Sequence, residues 1–288
     1  MTGLLPLVSA AFLAAASPAI TLEDDLGRQL TLPAPAERVV SLAPGITESL
    51  FAIGAGEELV GVTSYCSYPP EARQKTSVGG MTSPSIETIT ALSPDLVIAT
   101  VEGNVREDVA ALERIGIPVF VTNPRSLEGI RHSLRQLGAL TGHGQEADRL
   151  AEQLKEREDS LRHEARTPPV RTLLILALRP LVVAGGKTFL DDLLSAAGAE
   201  NLGALSAGSY PTMSREAIAV RDPEVLILMS DAGADTTALL EQFPEWRMLS
   251  AVRNRCLFIL DSDLISRPGP RALEGLALLS TALRRAHP

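Results

Sequence analysis

Two glutamates stand at matching places in two similar stretches of the chain. The first stretch, SIETITALSPDLVIA, begins at Ser85 and holds Glu87, and the second, SREAIAVRDPEVLIL, begins at Ser214 and holds Glu216. A Ser that caps a helix, followed by a carboxylate in the first turn, is favoured by the exposed N–H groups and by the helix dipole. Capping accounts for either Glu alone, but not for its presence in both stretches while the neighbouring residues differ. We therefore predict a pair of acidic points, which a two-fold symmetric partner would bind with one basic residue on each subunit.

Motifs for catalysis or metal binding are scarce. The four histidines form no cluster along the chain, and no G-x-S-x-G stretch is present. The segment GGKTF resembles the end of a phosphate-binding loop, but the position of that loop's first glycine is Leu181. Two cysteines, Cys66 and Cys256, are too few for a zinc site, and their spacing leaves open either a disulfide or two free thiols. An enzyme stays open as an alternative, since catalytic triads assemble from distant residues.

Length and composition indicate a globular chain with room for two domains. The 288 residues are 45% hydrophobic and 21% charged, and the net charge is -9 without a long run of Lys or Arg. This charge argues against a nucleic-acid partner.

The N-terminal residues have the layout of a secretory signal. An apolar run is followed by small residues and then by the acidic TLEDD, with cleavage expected after Ala16 or Ala19. The alternative is a buried N-terminal helix. No cysteine follows the run, so we expect no lipid anchor, and the prediction for residues 1–19 is a signal peptide that directs export to the periplasm.

Strands alternate with helices in both halves of the chain, which indicates an α/β fold with mainly parallel sheets. The predicted strands cover residues 38–42, 58–65, 95–100, 117–122, 170–178, 224–228 and 256–260. The predicted helices cover residues 47–56, 104–116, 187–198 and 269–286, and Thr47 and Asn104 are candidate N-caps for the first two.

The middle of the chain is predicted to be one long amphipathic helix. Its apolar side comprises Ala147, Leu150, Ala151, Leu154 and Leu161, and no Gly or Pro interrupts it after Gly144. An ordinary surface helix is the alternative. We predict two Rossmann-like lobes, over residues 36–142 and 168–288, joined by a backbone helix over residues 143–167. A ligand would then bind in the cleft between the lobes.

The chain resembles the substrate-binding proteins of ABC importers, in the class with a rigid backbone helix and most of all in its vitamin B12-binding branch. The resemblance rests on residues 38–72, which include the element SYCSYPP, and on residues 85–99, 111–121, 213–218 and 261–271. It implies a monomeric protein without a cofactor that captures a corrinoid and delivers it to a dimeric ABC permease with ATPase subunits. It also implies that Glu87 and Glu216 each pair with an Arg of one permease subunit.

The same resemblance implies a set of ligand-binding residues in the loops at the strand ends. They are Pro44, Gly45, Tyr65, Met81, Tyr210, Asp263 and Arg267. Each has a simpler alternative: the first two form a turn, Tyr65 is a half-buried core residue, and Asp263 and Arg267 pair with each other.

The expected cleft has fewer aromatic side chains than is usual in the vitamin B12-binding branch. The single Trp, Trp246, is interpreted as a packing residue, and the other cleft positions hold Met81, Thr100, Val183 and Leu264. A corrinoid is still the first choice, because such residues also cover a flat apolar face. The alternatives are a ferric siderophore, which would favour more cations than Arg267, haem, which would favour a Tyr ligand such as Tyr65, or another metal chelate. An α/β small-molecule hydrolase and a structural role are the alternatives from other classes.

Overall fold

The structure is a computed structural model that describes residues 19–165, 167–233 and 235–286. The predicted signal peptide therefore lies outside the described residues, except for its last residue, Ala19. Among the residues described, no helix combines the length and the apolar character that a membrane span requires.

The first sheet is entirely parallel. Its strands are β3 (Val39–Ser41), β4 (Leu59–Val62), β5 (Thr76–Ser77), β6 (Leu96–Thr100) and β7 (Val119–Thr122), and it follows a short antiparallel hairpin of β1 (Ile20–Glu23) and β2 (Gln29–Leu32). The strand order is β5-β4-β3-β6-β7. All five residues of β6 are buried, as expected for a central parallel strand that is covered on both faces.

The second sheet is parallel except for one strand. It comprises β8 (Val170–Leu178), β9 (Leu181–Val183), β10 (Ala199–Asn201), β11 (Val225–Met229) and β12 (Leu257–Leu260). The parallel strands follow the order β10-β8-β11-β12, and β9 pairs with β8 in the antiparallel direction. The predicted α/β class with mainly parallel sheets is therefore confirmed.

Helices connect the strands of both sheets. They are α1 (Pro44–Ala52), α2 (Ile86–Ala91), α3 (Arg106–Arg114), α4 (Leu127–Thr141), α5 (Gly144–His163), α6 (Phe189–Ala196), α7 (Arg215–Arg221), α8 (Thr236–Gln242), α9 (Ser250–Arg253), α10 (Ser262–Ser266) and α11 (Ala272–Ala286). Helix α4 has no counterpart among the predicted elements.

Helix α5 packs closely against α4 and also contacts α11. The close approach depends on Gly138 of α4, since a Cβ added there would lie 2.5 Å from the Cβ of Ala147. Arg131 of α4 and Arg162 both bind the carboxylate of Glu158, whose side chain is only 8% exposed. Apolar packing and a buried ion-pair cluster together hold α5 against α4, in the segment that links the two sheets.

Two N-cap predictions are wrong, because each helix begins at another residue and the predicted cap makes other hydrogen bonds. Helix α1 begins at Pro44, and Thr47 lies inside it with Oγ1 donating to Ser41 Oγ at 2.8 Å. Helix α3 begins at Arg106, and the Asn104 amide nitrogen donates to the carbonyls of Leu42 and Met81.

Other predictions about single residues are confirmed. Trp246 is fully buried and its ring stacks on Phe243 with the centroids 4.3 Å apart. Cys66 and Cys256 are both buried and free, which decides the open alternative in favour of two thiols. Val183, however, lies in the buried core of the second sheet and does not face the expected cleft.

Candidate functional site

One cavity of about 310 Å³ lies at the carboxyl ends of strands from both sheets, the usual position for a ligand site in α/β folds. Its wall combines apolar side chains with hydroxyl, amide and charged groups. The lining residues are Ala43, Pro44, Gly45, Ile46, Ser49, Tyr65, Met81, Thr100, Glu102, Thr122, Asn123, Pro124, Ser133, Leu137, Asp231, Asp263, Ser266, Arg267 and Pro268.

The predicted ligand-binding residues mostly lie together in this cavity. Six of the seven line it, and Tyr65 is 58% exposed there, which does not fit the alternative of a core residue. Tyr210 is not among the lining residues, but its hydroxyl donates to Glu102 Oε2 at 2.8 Å, and Glu102 does line the cavity. Thr100 lines the cavity as well, whereas Leu264 does not.

The start of α1 meets the loop that follows α10 at the cavity wall. A Cβ added to Gly45 would lie 2.6 Å from the carbonyl oxygen of Pro268, so only glycine allows this backbone contact. Gly269 faces the same residue, since its own Cβ would lie 3.3 Å from Gly45 Cα. Helix α1, which follows a strand of the first sheet, is therefore in direct contact with the loop after α10, which follows the last strand of the second sheet.

A buried carboxylate stabilises the same contact. Glu48 of α1 has a side chain only 2% exposed, and its oxygens accept hydrogen bonds from Arg271 Nε at 2.9 Å and Nη2 at 2.8 Å. Arg267 Nη1 lies 3.4 Å from Glu48 Oε1. The hydrogen bonds to Glu48 raise the pKa of Arg271, and its guanidinium also stacks on the ring of Tyr68 at 3.9 Å.

Asp263 and Arg267 do form the ion pair that was the simpler alternative. Arg267 Nη2 lies 2.5 Å from Asp263 Oδ1, and the Asp263 side chain is 43% exposed. Burial raises the pKa of Asp263, with the nearby charges of Asp261 and Asp231 acting in the same direction and Arg267 opposing them. The pairing leaves both residues on the cavity wall.

Polar contacts of Glu102 and Arg125 join one half of the chain to the other beside the cavity. Besides accepting from Tyr210, Glu102 lies 3.7 Å from Arg125, whose Nη1 donates to the carbonyl of Lys187 at 3.3 Å. Burial raises the pKa of Tyr210 above its ordinary range, and the hydrogen bond to Glu102 adds to that shift.

Several lining residues escaped prediction, including Glu102, Asn123 and Asp231. Each comes one or two residues after a buried strand: β6, β7 and β11, respectively. A signal was available in the sequence, because polar side chains at the carboxyl ends of parallel strands converge at one edge of a sheet.

Glu87 and Glu216 occupy equivalent places in the structure. Each is the second residue of its short helix, each follows a capping Ser, and each is exposed. Hydrogen bonds from its own backbone and from Ser214 lower the pKa of Glu216. Neither carboxylate lines the cavity.

Within the described ranges, no group of three or more His, Cys, Asp or Glu is placed to hold a metal ion.

Comparison with known proteins gives consistent matches along most of the chain. Residues 39–264 match the family described as periplasmic binding protein. A vitamin B12-binding protein of Vibrio parahaemolyticus is 33% identical over 244 residues, which cover 84% of this chain and 87% of that protein.

Solved structures agree with this assignment. The periplasmic vitamin B12-binding protein of Vibrio cholerae matches with a TM-score of 0.80 and 30% identity, over 88% of this chain and 98% of that one. A periplasmic haem-binding protein from Roseiflexus matches with a TM-score of 0.79 and 30% identity, over 87% and 99%. By sequence and by fold, the chain belongs to the periplasmic binding protein family.

Proposed function

We propose that this protein is the binding protein of an ABC importer, that it captures a corrinoid in the cavity between its two halves, and that it delivers this ligand to a membrane permease. The observation that carries the proposal is the convergence of Tyr65, Met81 and Arg267 in one cavity. The family and the vitamin B12-binding relatives support the same ligand class. The ligand is cargo, and affinity comes from its burial against a largely preformed wall, without covalent chemistry.

The corrinoid proposal is tested by calorimetric titration of the purified protein with cyanocobalamin. We expect one-to-one binding with a dissociation constant of roughly micromolar or below, about −8 kcal/mol or stronger. Tyr65→Ala should weaken binding, because the exposed ring is available to lie against the flat ligand. Met248→Ala is the matched control, since Met248 is 74% exposed and lies outside the cavity. Absence of heat with the wild-type protein would exclude this ligand.

Haem is the second candidate, and two observations favour it. A haem-binding structure matches as well in fold and identity as the vitamin B12-binding one, and Tyr65 offers a phenol in the cavity. Haem ligated by Tyr65 would have an absorption spectrum characteristic of that ligand, and Tyr65→Phe should shift its bands. Tight haem binding without cobalamin binding would replace the corrinoid as the ligand.

We further propose that Glu87 and Glu216 dock the protein on the permease, one carboxylate for each subunit. Their equivalent positions and their exposure support this role. In a pull-down with the permease, Glu87→Ala combined with Glu216→Ala should weaken capture while ligand binding stays unchanged. The matched control replaces Glu107 and Glu146, two other exposed first-turn glutamates. Equal capture by both double variants would refute the docking role.

The domain boundaries and the export of the chain belong to the same proposal. The two sheets share no strand, and α5 (Gly144–His163) falls inside the proposed backbone helix over residues 143–167. This supports lobes over residues 36–142 and 168–288. Export is supported by the apolar N-terminal run and by the periplasmic family. N-terminal sequencing of the protein recovered from a periplasmic fraction tests the signal peptide over residues 1–19.

A further inference from the structure

The charged side chains that line the cavity are mostly carboxylates. Glu102, Asp231 and Asp263 line it, whereas Arg267 is the single cation among the described lining residues. The three carboxylates come from three separate segments, after β6, after β11 and in α10. Negative charge therefore faces the cavity from both halves of the chain.

The guanidinium of Arg267 already has carboxylate partners within the protein. Arg267 pairs with Asp263 at 2.5 Å and lies 3.4 Å from Glu48, with its side chain only 15% exposed. Arg125 contacts Glu102, which lines the cavity, and donates to the Lys187 carbonyl. Arg267 and Arg125 thus each have a carboxylate partner within the protein. An anionic ligand group would have to compete with that carboxylate for the guanidinium.

Asp231 differs from the other two carboxylates. It is exposed at the cavity wall, and among the described residues no Lys, Arg or His forms an ion pair with it. Its charge also reaches Asp263, where it helps to raise the pKa of that carboxyl. Burial is the larger cause of that shift and Arg267 opposes it, whereas Asp231 itself has no cationic partner in the part of the chain that the structure describes, so its charge disfavours an anionic ligand group beside it.

An ionised carboxylate only accepts hydrogen bonds. Amide and hydroxyl groups of a ligand can donate to Glu102, Asp231 and Asp263, whereas a ligand carboxylate beside these three residues meets like charge and receives no hydrogen bond from them. We propose, resting on the proposed function, that the cavity selects metal macrocycles whose edge carries amide or hydroxyl donors and rejects those whose edge carries carboxylates. Asp231 and Glu102 are the specificity-determining residues.

Two forms of one ring test this selection. Dicyanocobinamide carries amides around the corrin, and dicyanocobyrinic acid carries carboxylates at the same positions. In calorimetric titrations at low salt and neutral pH, we expect the amide form to bind at least about tenfold more tightly. Asp231→Asn combined with Glu102→Gln should narrow that ratio, since it removes two charges and keeps the side-chain size. Asp159→Asn, on the outer face of α5 and away from the cavity, is the control and should leave the ratio unchanged.

The outcomes separate the selection from the ligand class. Equal binding of the two rings by the wild-type protein would overturn the selection and leave the corrinoid proposal standing. A wild-type preference that persists in the double variant would show that these charges do not cause it, which also overturns the assignment. Absence of binding by both rings and by cyanocobalamin would overturn the proposed function and this inference with it.

Discussion

The Tyr210 hydroxyl donates a hydrogen bond to Glu102 Oε2 at 2.8 Å and so joins the loop before α7 to the loop after β6. Glu102 lines the cavity, and Arg125, which lies 3.7 Å from Glu102, donates to the Lys187 carbonyl. Tyr210 and Glu102 therefore connect the two halves of the chain at the cavity wall.

Titration of Tyr210 provides a direct test of this bond. Burial raises the pKa of Tyr210 above the ordinary value of 10.0, and the Glu102 carboxylate, as the acceptor of its proton, raises it further. In an alkaline absorbance titration of the folded protein, we expect one of the three tyrosines to ionise last, and Tyr210→Phe should remove that step. Glu102→Gln should lower the pKa of Tyr210.

The sign of the linked stability follows from the direction of the shift. Because the pKa of Tyr210 is higher in the folded than in the unfolded protein, its contribution to the free energy of unfolding is full below the unfolded pKa. It is lost as the pH rises through the folded pKa. The free energy of unfolding of Tyr210→Phe should therefore differ from that of wild type at neutral pH, and the two values should converge at strongly alkaline pH. A constant difference across that range would contradict the bond.

Glu48 should be more important for stability than any exposed ion pair. Its buried carboxylate binds Arg271 through two hydrogen bonds and contacts Arg267. Glu48→Gln leaves Arg271 without a counter-charge and removes one of the two carboxylates that Arg267 contacts, and we expect a loss of about 3 kcal/mol or more in the free energy of unfolding by urea. Lys155→Gln, which breaks an exposed pair with Asp159, should have a much smaller effect, because solvent screens that pair. Equal effects would mean that solvent reaches Glu48.

The contact between Gly45 and Pro268 predicts an effect of a single methyl group. Gly45→Ala would place a Cβ 2.6 Å from a backbone carbonyl oxygen, so the loop that carries Arg267 must shift. We expect a loss of about 1–3 kcal/mol in stability, together with weaker ligand binding. Gly144→Ala is the control, because an added Cβ there has nothing within 4 Å. Wild-type affinity and stability in Gly45→Ala would contradict the proposed role of this contact.

Buried strands were predictable from the sequence because their signal is local. The runs that became β6 and β11 are apolar except for Thr100 at the end of β6, each follows a Pro and an acidic residue, and every residue in them is buried. Helix α4 carried a local signal too: Ser126 caps it, Gly142 ends it with φ 80°, and its buried residues recur at helical spacing. It could have been predicted by the same reasoning.

The roles of polar residues in loops were less predictable because their partners are distant in sequence. Asn104 is of a residue type that favours N-caps, yet it lies one residue before the N-cap position, and its amide nitrogen donates to the carbonyls of Leu42 and Met81. Tyr210 and Glu102 are similarly brought together only by the packing of the two sheets. Local sequence propensity cannot predict such contacts, because they form only in the complete fold.

Asp222 should make the stability depend on acidic pH. Its carboxylate accepts hydrogen bonds from the Ser250 hydroxyl and backbone N–H, both at 2.7 Å, and these bonds lower the pKa of Asp222 from its ordinary value of 3.8. Folding therefore favours the charged form of Asp222. Its contribution to the free energy of unfolding is present above the unfolded pKa and is lost as the pH falls through the folded pKa.

Asp222→Asn tests this contribution while keeping a residue that tolerates the left-handed backbone at φ 41°. At neutral pH the variant should lose about 1–2 kcal/mol in the free energy of unfolding by urea. As the pH falls, wild type should lose its advantage until the two proteins are equally stable. Ser250→Ala removes the hydroxyl donor, so the double variant should lose less than the sum of the two single changes. A deficit that stays constant from neutral to acidic pH would mean that the charge of Asp222 contributes nothing and that only its shape matters.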